Sequence, residues 1–571
     1  MSQTFIPSKD ASLESSISTL LAKLDALGFH VVEKSWLNEI ENIWSVHVTD
    51  RDCTRLFSNG KGGSELAARA SALGEFFERL GTNYFWTHFY LGEKIANAEF
   101  VHYPNEKWFP LKGDGWPKGL LNSALLKFYN PKKVTRGDQL IDLNSGNAAR
   151  GVCAIPYTCL RDNSEAYFPV NLIGNIYVSN GMSAGNTMME ARTQALSEIF
   201  ERDIKFKIIR DGTCLPDVPE VVINRFPRIA AGIRGLRAAG FGILVKDASL
   251  GGKYPVMCVT MLHPKDQGIF ASFGAHPRFE VALERALTEL LQGRALDSLG
   301  DFPAPGFDMD EIAEAQNLEI HFVDSSGVVS WEFLRDTPDF EFVDWNFSNT
   351  TEEDYNWSVN TLHASGHDIY VADFTHLDVY SCRIFVPGMS EIYPVDELYW
   401  ENNSVGNIVR PDILRLPDLT PEESDNLLTV FEDLDLADNL PIWTLIGLCA
   451  DAGTHWADVR VGELKTLLGL ACGDTDAALD GCMWLRQFGQ LNEARAKVYA
   501  CIENILQLED STRYDANLKL LFGEQTLNQA YKLIRAEEQF FGLGSLGPNM
   551  ESSQMHTQLL AAYAKVQARK K

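Results

Sequence analysis

Basic residues are scarce in this chain of 571 residues: 50 Lys and Arg stand against 78 Asp and Glu, a formal net charge of −28. A phosphate backbone is gripped by a basic footprint, so direct nucleic-acid binding is not expected. An acidic surface suits a basic protein or peptide partner instead. No run of about 18 apolar residues occurs, so no membrane span is expected. The opening MSQTFIPSKDASLESS has neither a basic region nor an apolar core, so no signal peptide is expected either. The ten cysteines are scattered, with no C-x-x-C pair and no paired Cys/His spacing. That excludes a zinc site or a disulfide frame and points to reduced thiols in the cytoplasm. Also missing are a G-x-x-x-x-G-K-[ST] loop, a dinucleotide fingerprint opening a βαβ unit, a kinase catalytic loop and H-E-x-x-H. His276, at a turn after a strand, reads as structural. Carboxylates and arginines remain as the bearers of chemistry.

What the chain does have is one pattern three times. It reads Ala72-Leu73-Gly74-Glu75-Phe76-Phe77-Glu78-Arg79, then Ala195-Leu196-Ser197-Glu198-Ile199-Phe200-Glu201-Arg202, then Ala286-Leu287-Thr288-Glu289-Leu290-Leu291-Gln292. At about 100° per residue, Glu190, Gln194, Glu198 and Glu201 fall within an arc of roughly 80°, opposite Leu196, Ile199 and Phe200. Ser71, Glu75 and Glu78 occupy the equivalent face of the first copy; Arg285, Glu289 and Gln292 occupy that of the third. One such stripe is normally a solvated face. Three in the same phase, with little compensating Lys, suggest carboxylates converging on a cleft. There they would repel one another unless cations sat among them. Hard oxygen donors without His or Cys point to Mg²⁺ shared with phosphates. Ahead of the first two copies lie Ser58–Gly63 and Ser179–Gly185, glycine-rich stretches expected as turns that let an anion approach backbone N–H groups. Strands are expected before them, at Arg55–Phe57 and Asn175–Val178.

The rest of the pattern predicts an α+β (mixed α/β) N-terminal domain over 1–408 and a linker over 409–421. An all-α domain over 422–571 follows, either tetratricopeptide-like or a plain helical bundle. A helix is expected over Leu13–Leu27, and strands at Ile43–Val48, Cys53–Phe57, Gly242–Val245, Pro255–Leu262, Ile269–Ser272, Glu319–Val323, Asp368–Asp373 and Val379–Val386. Residues 100–165, rich in Pro, Gly and Asn, read as loops and short strands forming an inserted cover.

The Ser71-to-Arg79 run, the Glu190…Glu198-x-x-Glu201-Arg202 run and the Arg285-x-x-x-Glu289 pair resemble the ATP-binding motifs of the YcaO family. The likeness runs nearly end to end, from FIPSKDASLESS to the VPGMS segment at 386–390. It implies an ATP fold without a phosphate loop, and an Mg²⁺-dependent, ATP-using enzyme that activates a peptide amide by phosphorylating its oxygen. By the same resemblance Glu75, Glu78, Glu190, Glu198, Glu201 and Glu289 would hold the metal. Arg202 and Arg285 would contact phosphates, and Lys9, Ser16, Ser71, Ser183 and Asn186 would bind the nucleotide. The likeness is strongest to stand-alone bacterial members. It implies an accessory role in β-methylthiolation of protein twelve of the small ribosomal subunit, with a ribosomal protein or peptide as substrate, a methylthiotransferase as partner and a homodimer as the assembly. The chain ends without the proline-rich tail of heterocycle-forming members. Two alternatives stay open: a cyclodehydratase or thioamide-forming enzyme of the same family, and a non-catalytic nucleotide-binding adaptor.

Overall fold

The computed structural model describes residues 3–300 and 302–571. Helix α1 (Leu13–Leu27) starts where the Ser12 hydroxyl accepts the Ser15 N–H and stops at Gly28, whose φ of 80° suits glycine. It leads into an antiparallel meander of β1 (Val31–Ile40), β2 (Ile43–Asp50) and β3 (Phe57–Gly62), followed by α2 (Glu65–Gly81). A second unit repeats the plan. Strands β8 (Gly242–Asp247), β9 (Val256–Leu262) and β10 (Ile269–Ala275) form the meander β10-β9-β8 and feed a helix over Phe279–Glu289.

Each unit joins strand to helix in the same way. Ser58 Oγ donates to Ala72 O at 2.7 Å, and Ser272 Oγ donates to Ala286 O at 2.8 Å. Two residues after each serine comes a glycine against which the helix lies. A Cβ on Gly60 would sit 2.0 Å from Ala68 O, and one on Gly274 would sit 2.5 Å from Ala282 O. The glycines expected in an anion-binding turn at 58–63 thus lie mainly in strand β3, where they admit helix backbone at close range.

A third sheet is the largest. Its order is β4 (Lys107–Phe109), β5 (Val152–Cys159), β11 (Tyr370–Phe374), β12 (Tyr380–Phe385), β7 (Met182–Gly185), with β6 (Glu165–Pro169) paired to β5. The expectation of a mere cover over 100–165 is corrected here. Strand β5 is inside the sheet, and its VCAIPYTC run is buried on both faces, so it carries no alternation to announce it. After β7 runs α3 (Met188–Asp211), begun by Thr187 accepting the Glu190 N–H and closed at Gly212.

Three expected strands are otherwise. Cys53–Leu56 is a turn, with the Leu56 N–H donating to Cys53 O at 3.0 Å, and the strand begins only at Phe57. Residues 173–177 form a π-helical turn. Glu319–Val323 belongs to a helix over Ala315–Val323, in which Leu318 packs on the core and His321 is buried. Short apolar runs of this kind have no period that separates helix from strand.

The segment expected as a linker is helical. It opens with α4 (Gly406–Ile413), whose Arg410 is buried and donates to Ile446 O at 2.8 Å. Helices α5 (Pro421–Asp433), α6 (Val461–Cys472), α7 (Thr475–Phe488) and α8 (Glu493–Gln507) then pack on one another around a core that includes Leu427, Leu464, Leu467 and Ile502. The last helix, α9 (Gln554–Gln567), leaves that core. Its Leu559, Tyr563 and Val566 pack beside Phe29, Phe76 and Trp86 of the N-terminal part, and Trp86 Nε1 donates to Leu559 O at 3.1 Å.

Candidate functional site

Helices α2, α3 and the Phe279–Glu289 helix each bury one side against a sheet and turn the acidic side to a shared cavity of about 1010 Å³. All thirteen side chains singled out from the sequence line it: Lys9, Ser16, Ser71, Glu75, Glu78, Ser183, Asn186, Glu190, Glu198, Glu201, Arg202, Arg285 and Glu289. The residues before α1 are drawn in by Glu190, which is 4% exposed. Its carboxylate accepts from Lys9 Nζ at 3.1 Å, the Asp10 N–H at 3.1 Å and Asn186 Nδ2 at 2.9 Å. Ser16 Oγ in turn donates to Asn186 Oδ1 at 3.0 Å.

Most of the other carboxylates sit beside a cation. Glu75 pairs with Arg79, and Glu198 with Arg202 at 2.8 Å. Glu201 lies 3.6 Å from Arg285 and accepts the Ala275 N–H at 3.3 Å, while Glu289 pairs with Lys61. Arg285 also donates to Gln194 Oε1 at 2.5 Å. Arg202 stacks its guanidinium 4.6 Å over Phe322 and donates to Asn180 Oδ1 at 3.1 Å. Ser71 is exposed on the rim, and Ser183 is buried, its Oγ donating to Ala184 O at 3.4 Å. As the side chains stand, no group of three or more His, Cys, Asp or Glu among the described residues is drawn together tightly enough to clasp a metal. Each acid is held apart by its own partner.

Glu78 is the exception, being in no ion pair within 4 Å among the described residues. Burial, then Glu198 and Glu75, push its carboxyl well above the ordinary range, and burial likewise raises Glu198. Burial also pulls the Lys61 ammonium down to about 8, with Arg285 adding to the effect. These acids are therefore costly to ionise together, and a divalent cation among them reverses that cost. The donors are carboxylate and amide oxygens with no thiol, a set that fits Mg²⁺.

Lys61, Arg79 and Gln194 line the same cavity beyond the thirteen expected residues. Arg79 carried a signal, since it follows Glu78 as Arg202 follows Glu201. Lys61 carried none, because only the fold brings β3 beside Glu289. His276 is off the cavity lining, buried and accepting the Arg278 N–H at 3.0 Å.

Comparison with known proteins adds the following. Residues 59–390 match the family model described as YcaO cyclodehydratase, ATP- and Mg²⁺-binding, and residues 406–571 match the YcaO cyclodehydratase C-terminal domain. An uncharacterized protein of Haemophilus influenzae is 47% identical over 580 residues, covering 100% of this chain and 99% of its own. The ribosomal protein S12 methylthiotransferase accessory factor YcaO of Escherichia coli is similar to the same extent, 47% over 580 residues with 100% and 99% covered. Among solved structures, a heterocyclase in complex with substrate and cofactor aligns with a TM-score of 0.46 at 18% identity, covering 68% of this chain and 55% of that one. YcaO from Methanopyrus kandleri, bound with AMPPCP and Mg²⁺, aligns with a TM-score of 0.44 at 17% identity, covering 67% and 93%.

Proposed function

This chain belongs to the YcaO family, with an ATP- and Mg²⁺-binding domain over 59–390, and from that premise we propose that it uses ATP to activate a peptide backbone amide. Its physiological role in this reading is that of an accessory factor for β-methylthiolation of ribosomal protein S12, alongside a methylthiotransferase in the cytoplasm. One observation carries the reading: three acidic helix faces and the residues before α1 meet on a single cavity.

In this reading Glu75, Glu78, Glu190, Glu198, Glu201 and Glu289 hold the metal, and Lys9, Ser16, Ser71, Ser183 and Asn186 hold the nucleotide. Bound Mg²⁺ supplies charge neutralisation at the phosphates. Arg202 and Arg285 offer planar guanidinium faces to phosphate oxygens and so steady charge that develops as a phosphoryl group passes to the amide oxygen. Lys61 and Arg79, paired with Glu289 and Glu75, line the same cavity and would add positive charge beside a bound nucleotide. Catalysis is assigned to residues 1–408. The helical region after the 409–421 connection, 422–571, is assigned to homodimerisation or partner docking.

Glu75→Gln and Glu198→Gln are each expected to lower Mg²⁺-dependent ATP turnover by roughly tenfold or more; unchanged turnover in both removes the metal assignment. Mass spectrometry of S12 from cells lacking the gene checks the role, the expected result being loss of the methylthio group. Normal modification would remove the accessory role.

A further inference from the structure

Beside the cavity the backbone makes a turn that its sequence does not favour. The Asn180 N–H donates to Tyr177 O at 2.8 Å, closing a four-residue turn, and Val178 at its first central position has φ 50° and ψ −112°. Those angles match the position of a type II′ turn that is ordinarily glycine, and a β-branched residue there is strained. Such strain persists only where the surroundings over-determine it, and it gathers at functional sites.

The surroundings here are specific. Arg383, 3% exposed, donates to Val178 O and lies 5.4 Å over Phe385. Asn180 is fully buried, and its Nδ2 donates to Ser390 O at 2.8 Å. The Ile384 N–H donates to Gly181 O at 2.8 Å, and a Cβ on Gly181 would meet Ile384 O at 2.1 Å. The turn is thus fastened to β12 and the segment after it. Towards the cavity, Asn180 Oδ1 accepts from Arg202 Nη1 at 3.1 Å, and Arg202 lines the cavity.

We infer that Asn180 is a positioning residue for nucleotide binding, holding the Arg202 guanidinium in the cavity while Arg383 keeps the strained turn that presents it. This rests on Arg202 as a phosphate ligand. Glu198 fixes the same guanidinium from α3 and Phe322 covers its face, so Asn180 supplies a third restraint, from a different element. Fixing a flexible cation before the ligand arrives removes part of the ordering cost of binding.

The test is a double-mutant cycle on the full-length protein, reading the Kd of a non-hydrolysable ATP analogue with Mg²⁺ by titration calorimetry. Arg202→Ala is expected to weaken binding about tenfold or more, and Asn180→Ala about tenfold, the scale of one hydrogen bond to a charged group. The double variant is expected to be no weaker than Arg202→Ala alone, an outcome that a general loss of stability would not produce. If Asn180→Ala leaves Kd unchanged, or its loss adds in full on top of Arg202→Ala, the inference is overturned. Unchanged affinity in Arg202→Ala by itself would instead remove the phosphate assignment, and the inference with it. Should Asn180→Ala not fold, Asn180→Ser, polar but too short to reach Arg202, takes its place in the cycle with the same expectations.

Discussion

His556 shows how a single side chain links burial to pH. It is fully buried, and its Nδ1 accepts the Cys449 N–H at 3.0 Å, which requires the neutral ring. Burial, with the charge of Arg410 behind it, pulls the imidazole down to about 4. The unfolded chain therefore binds this proton more readily than the folded one. The contribution to stability is complete above about pH 6.5 and drains away as pH falls from there towards 4. By pH 5 this amounts to ~2 kcal/mol. His321 and His376, each pushed by burial to about 3, lose their contributions as pH falls from about 6.5 towards 3. His556→Asn, whose Oδ1 can take the same N–H, is expected to show a smaller fall in Tm between pH 7 and pH 5 than the parent. Equal falls in two thermal-melt series would contradict this account.

Among the elements, strand–helix pairing decides where the carboxylates sit. Gly60 lets α2 approach β3 so closely that an added Cβ would lie 2.0 Å from Ala68 O and 2.5 Å from Ala72 N, both backbone atoms. Gly60→Ala is expected to lower stability by about 1–3 kcal/mol, the cost of overpacking, and to weaken Mg²⁺-dependent nucleotide binding because α2 carries Glu75 and Glu78. Gly74 in the same helix has nothing within 4 Å of an added Cβ. Gly74→Ala is expected to raise stability by about 0.5–1 kcal/mol, since it only removes backbone freedom from a helix interior. Thermal melts of the two variants should therefore move in opposite directions, and a shared direction would refute the packing argument.

For the whole molecule, α9 ties the end of the helical region to the beginning of the chain. Tyr563 is fully buried, donates to Val101 O and meets Trp86 edge to face at 5.2 Å. Lys565 Nζ donates to Gly28 O at 2.6 Å, and Lys570, itself buried, donates to Asn83 Oδ1 at 2.7 Å. The N-terminal core is completed by residues more than 450 positions away. Tyr563→Ala is expected to cost about 3–5 kcal/mol, the range for deleting a buried aromatic. A chain shortened to end at residue 552 should bind a dye for exposed apolar surface and lose nucleotide binding along with the melt of the first domain. Retained binding at an unchanged Tm would show that α9 is dispensable to that core.

Local periodicity and residue chemistry made much of this legible in advance. Helix α1 needed only its apolar spacing, and the acidic phase of three helices was written in the repeated Ala-Leu-small-Glu run. Those readings hold because a helix repeats its faces every 3.6 residues whatever surrounds it. Strand β5, buried on both faces, and the helix over Ala315–Val323 were misread because neither has a period that marks its type. The pairing of Lys61 with Glu289, the strained turn at Val178 and the return of α9 have no local signature at all. Each depends on backbones far apart in the chain packing within a few ångströms of each other, and that closeness is a property of the assembled core alone.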